Sequence, residues 1–320
     1  MSFALPLIGE DEIAAAVEAL RSGWITTGPK TQEFGEAFAR RVDAPLALPV
    51  SSCTAALHLA LLALDVGPGD AVITTTMTFC STVHVIEHVG ATPVLCDVEP
   101  DTLNLAPAEV ERAITEAVAA GLRPRVLLPV HFAGHPCDMD ALLEMAGAHD
   151  LACVEDAAHA LPAAYHGVPI GNVDGDVQRA VAFSFYATKN LTTGEGGMLT
   201  ASPDLLEKAQ IWSLHGMSRD AWKRYGVGAS WHYEVTVPGF KYNLTDIASA
   251  IGIVQLAKLD GFQRRREEIV RQYDEGLADL PLELPVSRHG VTSAWHLYVV
   301  RLRTDLGQQR DQLFKRMTQR

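Results

Sequence analysis

The chain has 320 residues, 48% of them hydrophobic and 20% charged, an ordinary composition for a globular enzyme with room for one large domain and a smaller one. Its formal net charge of −13 argues against a nucleic-acid or anionic-membrane surface, because both need clustered Lys and Arg. Five cysteines without a CxxC pair suit reduced thiols in a cytoplasmic protein better than a disulfide framework or a zinc site.

The first residues lack the basic start and apolar run of a signal peptide. No apolar stretch approaches the ~20 residues needed to span a bilayer, so a soluble protein is expected. A helix is predicted over Asp11–Ser22, with Ile13, Val17 and Leu20 on one face and Gly23 beyond its end. A loop over Gly23–Pro29 follows. Strands are predicted at Leu46–Val50, Ala71–Thr75, Pro93–Cys96, Arg125–Val130, Ala152–Glu155, Ala180–Phe185 and Gly197–Thr200. Between them lie predicted helices at Thr54–Leu64, Ser81–His88, Pro107–Ala120 and Met139–Ala148. Strands alternating with helices indicate a mainly parallel sheet covered on both faces. Two further helices, Leu244–Leu259 and Phe262–Leu277, a strand over His296–Leu302 and an amphipathic helix from Asp311 to Arg320 complete the reading.

Four segments carry candidate chemistry. Lys189 lies just past a buried apolar strand and before Gly194-Glu-Gly-Gly197. Burial lowers an amine's pKa and makes imine formation feasible near neutrality, although a surface lysine is an equally good reading of the residue alone. Asp156, in Val154-Glu-Asp-Ala-Ala-His159, ends another apolar strand, the edge at which α/β sheets bind ligands. It could pair with the pyridine nitrogen of pyridoxal phosphate (PLP) or simply cap a helix. Val50-Ser-Ser-Cys-Thr-Ala-Ala-Leu57 reads as strand, small-residue turn and helix, a seat for phosphate or an ordinary cap. Ser184 and Asn243 could add polar contacts, and Phe79 could stack on an aromatic ring or fill the core. His131, His135, Asp138 and Asp140 form a weak metal pattern that is read as no metal site, and Arg264-Arg-Arg266 is read as a solvated helix face.

The order and spacing of these segments resemble the PLP-dependent sugar-nucleotide aminotransferases of the DegT/StrS type. Ser22-Gly-Trp-Ile-Thr-Thr-Gly-Pro-Lys30, Val130-His-Phe-Ala-Gly-His-Pro-Cys-Asp138, Glu155-Asp-Ala-Ala-His159, Gly239-Phe-Lys-Tyr-Asn-Leu-Thr-Asp246 and Trp295-His-Leu-Tyr298 all carry the likeness. Among the members, the chain looks most like those that aminate a UDP-linked 4-keto-pentose. The resemblance implies PLP fold type I (aspartate aminotransferase-like), an α/β three-layer large domain over 1–250 and a small C-terminal α/β domain over 251–320. Members continue past the helix that here ends at Arg320, so an incomplete small domain is expected. The resemblance further implies PLP as a Schiff base on Lys189, Asp156 at the ring nitrogen and His159 beside the phenolic oxygen. Phe79 would stack on the ring, while Thr54, Ala55 and Ser184 would hold the phosphate. Asn243 would reach the phosphate of a neighbouring subunit in a homodimer with shared sites, and Thr27 and Lys30 would line the sugar-nucleotide cleft. The implied reaction moves an amino group from L-glutamate, leaving 2-oxoglutarate, to a nucleotide-diphosphate keto sugar, with Lys189 as general base. Two alternatives remain: a different fold-type-I PLP enzyme, and a non-catalytic PLP-binding or regulatory dimer.

Overall fold

The computed structural model describes residues 5–217, 234–303 and 309–319. The last residue of the predicted terminal helix, Arg320, lies outside them. The strands are β1 (Ala47–Val50), β2 (Asp70–Thr75), β3 (Thr92–Cys96), β4 (Arg123–Leu128), β5 (Ala152–Asp156), β6 (Ala164–Tyr165), β7 (Val168–Pro169), β8 (Arg179–Ser184), β9 (Gly197–Ala201), β10 (Leu282–Glu283), β11 (Val291–Thr292) and β12 (Arg301–Leu302). Seven of them form the central sheet in the order β1-β9-β8-β5-β4-β2-β3. Neighbours from β3 through β8 run parallel, and β9 runs antiparallel to both β8 and β1. This is the fold-type-I, mainly parallel α/β architecture the sequence implies. The carboxyl ends of β1, β5 and β8 therefore share one edge.

The helices are α1 (Glu10–Ser22), α2 (Pro29–Arg41), α3 (Cys53–Ala63), α4 (Cys80–His88), α5 (Pro107–Ala119), α6 (Met139–Ala148), α7 (Pro203–Ser213), α8 (Asp246–Leu277) and α9 (Arg310–Thr318). Strand β8 shows how they cover the sheet. Its Ala180 and Ala182 face a core shared with α3, while Val181 and Phe183 face one shared with Phe34 and Phe38 of α2. Alternation with a period of two thus splits one apolar run between two buried faces. Helix α3 is apolar around its whole circumference, so it lies inside the molecule, touching β5, β8 and β9.

Several elements differ from expectation, and the short strands β6, β7, β10 and β11 were not anticipated. Helices α2 and α7 were not anticipated; each begins with proline at its first position, where the missing N–H costs nothing. The two predicted helices after Leu244 are one 32-residue helix, α8, which runs unbroken through position 250. Asp260-Gly261 does not break it, because interior glycine costs only about 1 kcal/mol and the flanking turns pack on α1 and α2. The predicted strand over His296–Leu302 contracts to Arg301–Leu302, since among the described residues only Leu282–Glu283 offers it a ladder.

Candidate active site

The shared edge gathers most of the residues singled out. Asp156 closes β5 and is 4% exposed. Its Oδ2 accepts the Thr82 hydroxyl at 2.7 Å, and its Oδ1 accepts the Ala158 N–H at 3.1 Å. Thr82 and Cys53 were missed by the sequence reading, and both pack against this carboxylate. The Cys53 Sγ lies 3.8 Å from Asp156 Oδ1 and 3.5 Å from the Ala182 carbonyl. Burial, reinforced by the Asp156 charge, pushes its thiol pKa far up, so it stays protonated.

Lys189 follows β8 in a turn closed by its N–H to the Tyr186 carbonyl, 2.9 Å. It is only partly accessible, so the surface alternative for this residue does not hold. Burial lowers its ammonium pKa, and the Asp156 charge partly opposes that. His159, one turn past Asp156, feels the Lys189 charge. Among the described residues its buried Nδ1 has no hydrogen-bond partner, a cost that a native site tolerates when a ligand atom completes the bond. Burial first, and then Lys189, pull its pKa down to about 3. The ring packs against His296, with centroids 4.4 Å apart and the planes tilted by 36°. His296 belongs to a segment that the sequence reading noticed without giving it a role.

At the start of α3, Ser52 caps the helix by accepting the Ala55 N–H at 3.0 Å. The cap occupies the Ala55 donor, while Thr54 stands half-buried beside it at the positive end of the helix dipole. Ser184 closes β8 opposite Gly197. A Cβ at Gly197 would lie 2.4 Å from the Ser52 carbonyl carbon, so only glycine lets β9 approach this turn. Phe79 caps the start of α4 and is 74% exposed, which removes the core-aromatic alternative.

The Gly23–Pro29 segment is fastened by Asp246, the first residue of α8. Its buried carboxylate accepts the N–H groups of Gly28 at 2.7 Å, Lys30 at 3.1 Å and Thr31 at 2.9 Å, and the Thr31 hydroxyl at 2.7 Å. Thr27 donates to the Leu244 carbonyl at 2.6 Å and accepts from Asn243 Nδ2 at 2.6 Å. The Asn243 backbone bridges Val50 of its own chain, and its Oδ1 accepts from Lys241. Lys30 corrects the loop reading: it lies within α2, and its ammonium pairs with Glu33 at 3.0 Å.

The metal pattern does not assemble. His131 is buried, with Nε2 3.0 Å from Glu155 and Nδ1 accepting the Cys137 N–H at 3.1 Å. Asp138 caps α6, and His135 Nδ1 faces the Pro136 carbonyl. Arg266 also departs from expectation. Rather than standing on a solvated face, it is half-buried, burial lowers its pKa, and its charge reaches His296.

A lysine with a burial-depressed pKa, a buried carboxylate and an unpaired imidazole at the carboxyl edge of such a sheet define a PLP-dependent enzyme of fold type I. The comparisons agree. The profile of the DegT/DnrJ/EryC1/StrS aminotransferase family matches residues 6–320, and the chain belongs to that family. It is a PLP-dependent sugar aminotransferase. It is 49% identical over 304 residues to the spore coat polysaccharide biosynthesis protein SpsC of Bacillus subtilis (strain 168), covering 94% of this chain and 76% of that protein. The PLP form of the sugar aminotransferase-like Spr1654 of Streptococcus pneumoniae superposes with a TM-score of 0.88 at 36% identity, over 100% of this chain and 82% of that one. DesV of S. venezuelae, solved with a ketimine intermediate, gives 0.83 at 38% identity, over 95% and 77%.

Proposed function

We infer that the chain transfers an amino group from L-glutamate to the keto group of a nucleotide-linked sugar, as a cytoplasmic homodimer with shared sites. The observation that carries this reading is the convergence of Lys189, Asp156 and the unpartnered His159 Nδ1 at one sheet edge. The residues fit the cofactor: Asp156 would hold its ring nitrogen and His159 its phenolic oxygen. Phe79 would cover one ring face, and Thr54 and Ser184, with Asn243 of a second copy and the Ala55 N–H once released from its Ser52 cap, would hold its phosphate. When bound, PLP supplies an electron sink and a carrier for the amino group.

The chain's own contribution is positioning and proton transfer. Burial lowers the Lys189 ammonium pKa, which favours the amine form that takes a proton from a donor α-carbon and returns it elsewhere. Thr82 and the Ala158 N–H fix the Asp156 carboxylate without neutralising it. The Thr27 loop, held by Asp246, would line the acceptor cleft with Lys30 at its rim. The same proposal assigns 1–250 to a large domain and 251–320 to a smaller one.

Reconstitution with PLP tests this. A visible absorption band that bleaches with L-glutamate, and is lost in Lys189→Ala, is expected. A band that survives in Lys189→Ala would remove the Lys189 assignment. A band that ignores glutamate would remove the donor.

A further inference from the structure

Asn190 is the residue next to Lys189, and its amide is spoken for on every side. Its Nδ2 donates to the Leu161 carbonyl at 2.9 Å and to the Ala294 carbonyl at 2.8 Å. Its orientation is therefore fixed, and its Oδ1 is left as an acceptor. His296 Nδ1 lies 3.0 Å from that oxygen, so Nδ1 carries the proton and the His296 ring plane is set. The segment that bears His296 is anchored in turn: Ala294 N–H donates to Gly134 at 2.9 Å and Leu297 N–H to Ala133 at 3.1 Å. Trp295 between them takes a left-handed φ of 47°, an uncommon conformation for a bulky residue. His296 then packs against His159, the two rings tilted by 36° with centroids 4.4 Å apart. His159 Nδ1 is buried without a hydrogen-bond partner among the described residues.

We propose that His296 is a positioning residue: clamped by Asn190, its ring holds the His159 imidazole in the plane that aims Nδ1 at the bound cofactor, and so couples that aim to the Lys189 loop. The inference rests on the reading that Lys189 and His159 face PLP. The groups whose charge reaches the stacked pair are Lys189 and Arg266. With burial they keep both rings neutral, at about 3 for His159 and about 2 for His296, so the pair stacks without charge repulsion. A polar ring is needed in the second layer because the Asn190 oxygen is buried; a phenyl there keeps the stack and gives up the clamp.

The test is the pH titration of the visible band in PLP-loaded wild type, His296→Ala and His296→Phe. The midpoint reports the field at the cofactor and is insensitive to a loss of stability. His296→Ala should move it by roughly half a unit or more, a measurable change in field at the cofactor, and His296→Phe, which keeps the ring contact but loses the clamp, should restore only part of that shift; full restoration by Phe would overturn the clamp. An Ala midpoint equal to wild type overturns the proposal, as do equal shifts in Ala and Phe. Should His296→Ala not fold, imidazole NMR of cofactor-free wild type decides. Cross-peaks between the His159 and His296 rings are expected, and their absence overturns the stack. A wild type that shows no Lys189-dependent band would instead refute the PLP-site reading and leave the NMR result standing.

Discussion

Asp246→Ala is the sharpest test of how the Thr27 loop is held. The carboxylate is 1% exposed and takes four donors. Two of them belong to Thr31, which is 5% exposed, so water cannot replace the lost acceptor there. Leaving that N–H unsatisfied costs about 1–3 kcal/mol, whereas the hydroxyl can turn to Ser249 Oγ at 3.1 Å, and loss of the cap on α2 adds about 1 kcal/mol. The expected destabilisation is therefore about 2–4 kcal/mol. Asp246→Asn offers a finer comparison. Its Oδ1 can keep the donors from Gly28 and Thr31, while its amide nitrogen faces the Lys30 N–H, which limits the cost to about 1–2 kcal/mol. Urea unfolding of the cofactor-free protein, followed by far-UV circular dichroism, reads both values from the midpoint at constant slope. An Ala variant within about 1 kcal/mol of wild type would refute the reasoning, because the buried Thr31 N–H must then have another acceptor.

Other outcomes follow from the same geometry. Asp156→Asn should leave the fold intact and abolish glutamate-dependent bleaching, since an amide cannot balance a protonated ring nitrogen; unchanged bleaching refutes the assignment. Glu12 is buried and bound by Lys258, the Gly9 N–H and Gln255; these outweigh the burial that would raise its pKa and set it at about 2. A carboxylate depressed below its unfolded value of about 4.3 stabilises the fold above that pH, and this stability fades as pH falls toward 2. Glu12→Gln should flatten that limb of a pH series of thermal melts. His159 and His296 also have lowered pKa values and shift in the same protonation sense: they stay neutral folded and become charged unfolded, so stability should already decline as pH drops below about 6.5. His159→Phe should soften that decline. Arg266 carries a burial-depressed pKa with no carboxylate among its causes. Arg266→Met should therefore be neutral or stabilising by up to about 1 kcal/mol in thermal melts without ligand, and a clear loss would expose an acid partner.

The sheet was legible because parallel strands buried on both faces read as continuous apolar runs, and all seven stand within a few residues of expectation. Asp156 stood out as the polar residue that ends an apolar strand, whereas Lys189, five residues past the end of β8, stood out only through the segments placed around it. The weak points have physical causes. Helix α2 was overlooked although Phe34 and Phe38 mark one face at i and i+4, because Pro29 reads as a terminator when it is in fact a first helical residue. The supporting groups of the site are spread along the chain. Thr82 lies 74 positions from Asp156, and His296 lies 106 from Asn190. No local pattern joins such partners, and each alone reads as an ordinary core or capping residue.

This split between what is local and what is not explains how the site is built. The groups expected to touch the cofactor sit at strand ends and helix starts, where the backbone fixes them and the sequence displays them. The groups that aim them arrive from other elements: Thr82 from α4, Asp246 from α8, His296 from the segment after β11. A substitution in the first set should remove the chemistry and leave the fold. One in the second should shift a midpoint, a pH limb or an affinity while the visible band persists. If His296→Ala and Asp246→Asn both proved indistinguishable from Lys189→Ala in the absorption assay, that division would be wrong, and the two layers would have to be treated as one cooperative unit.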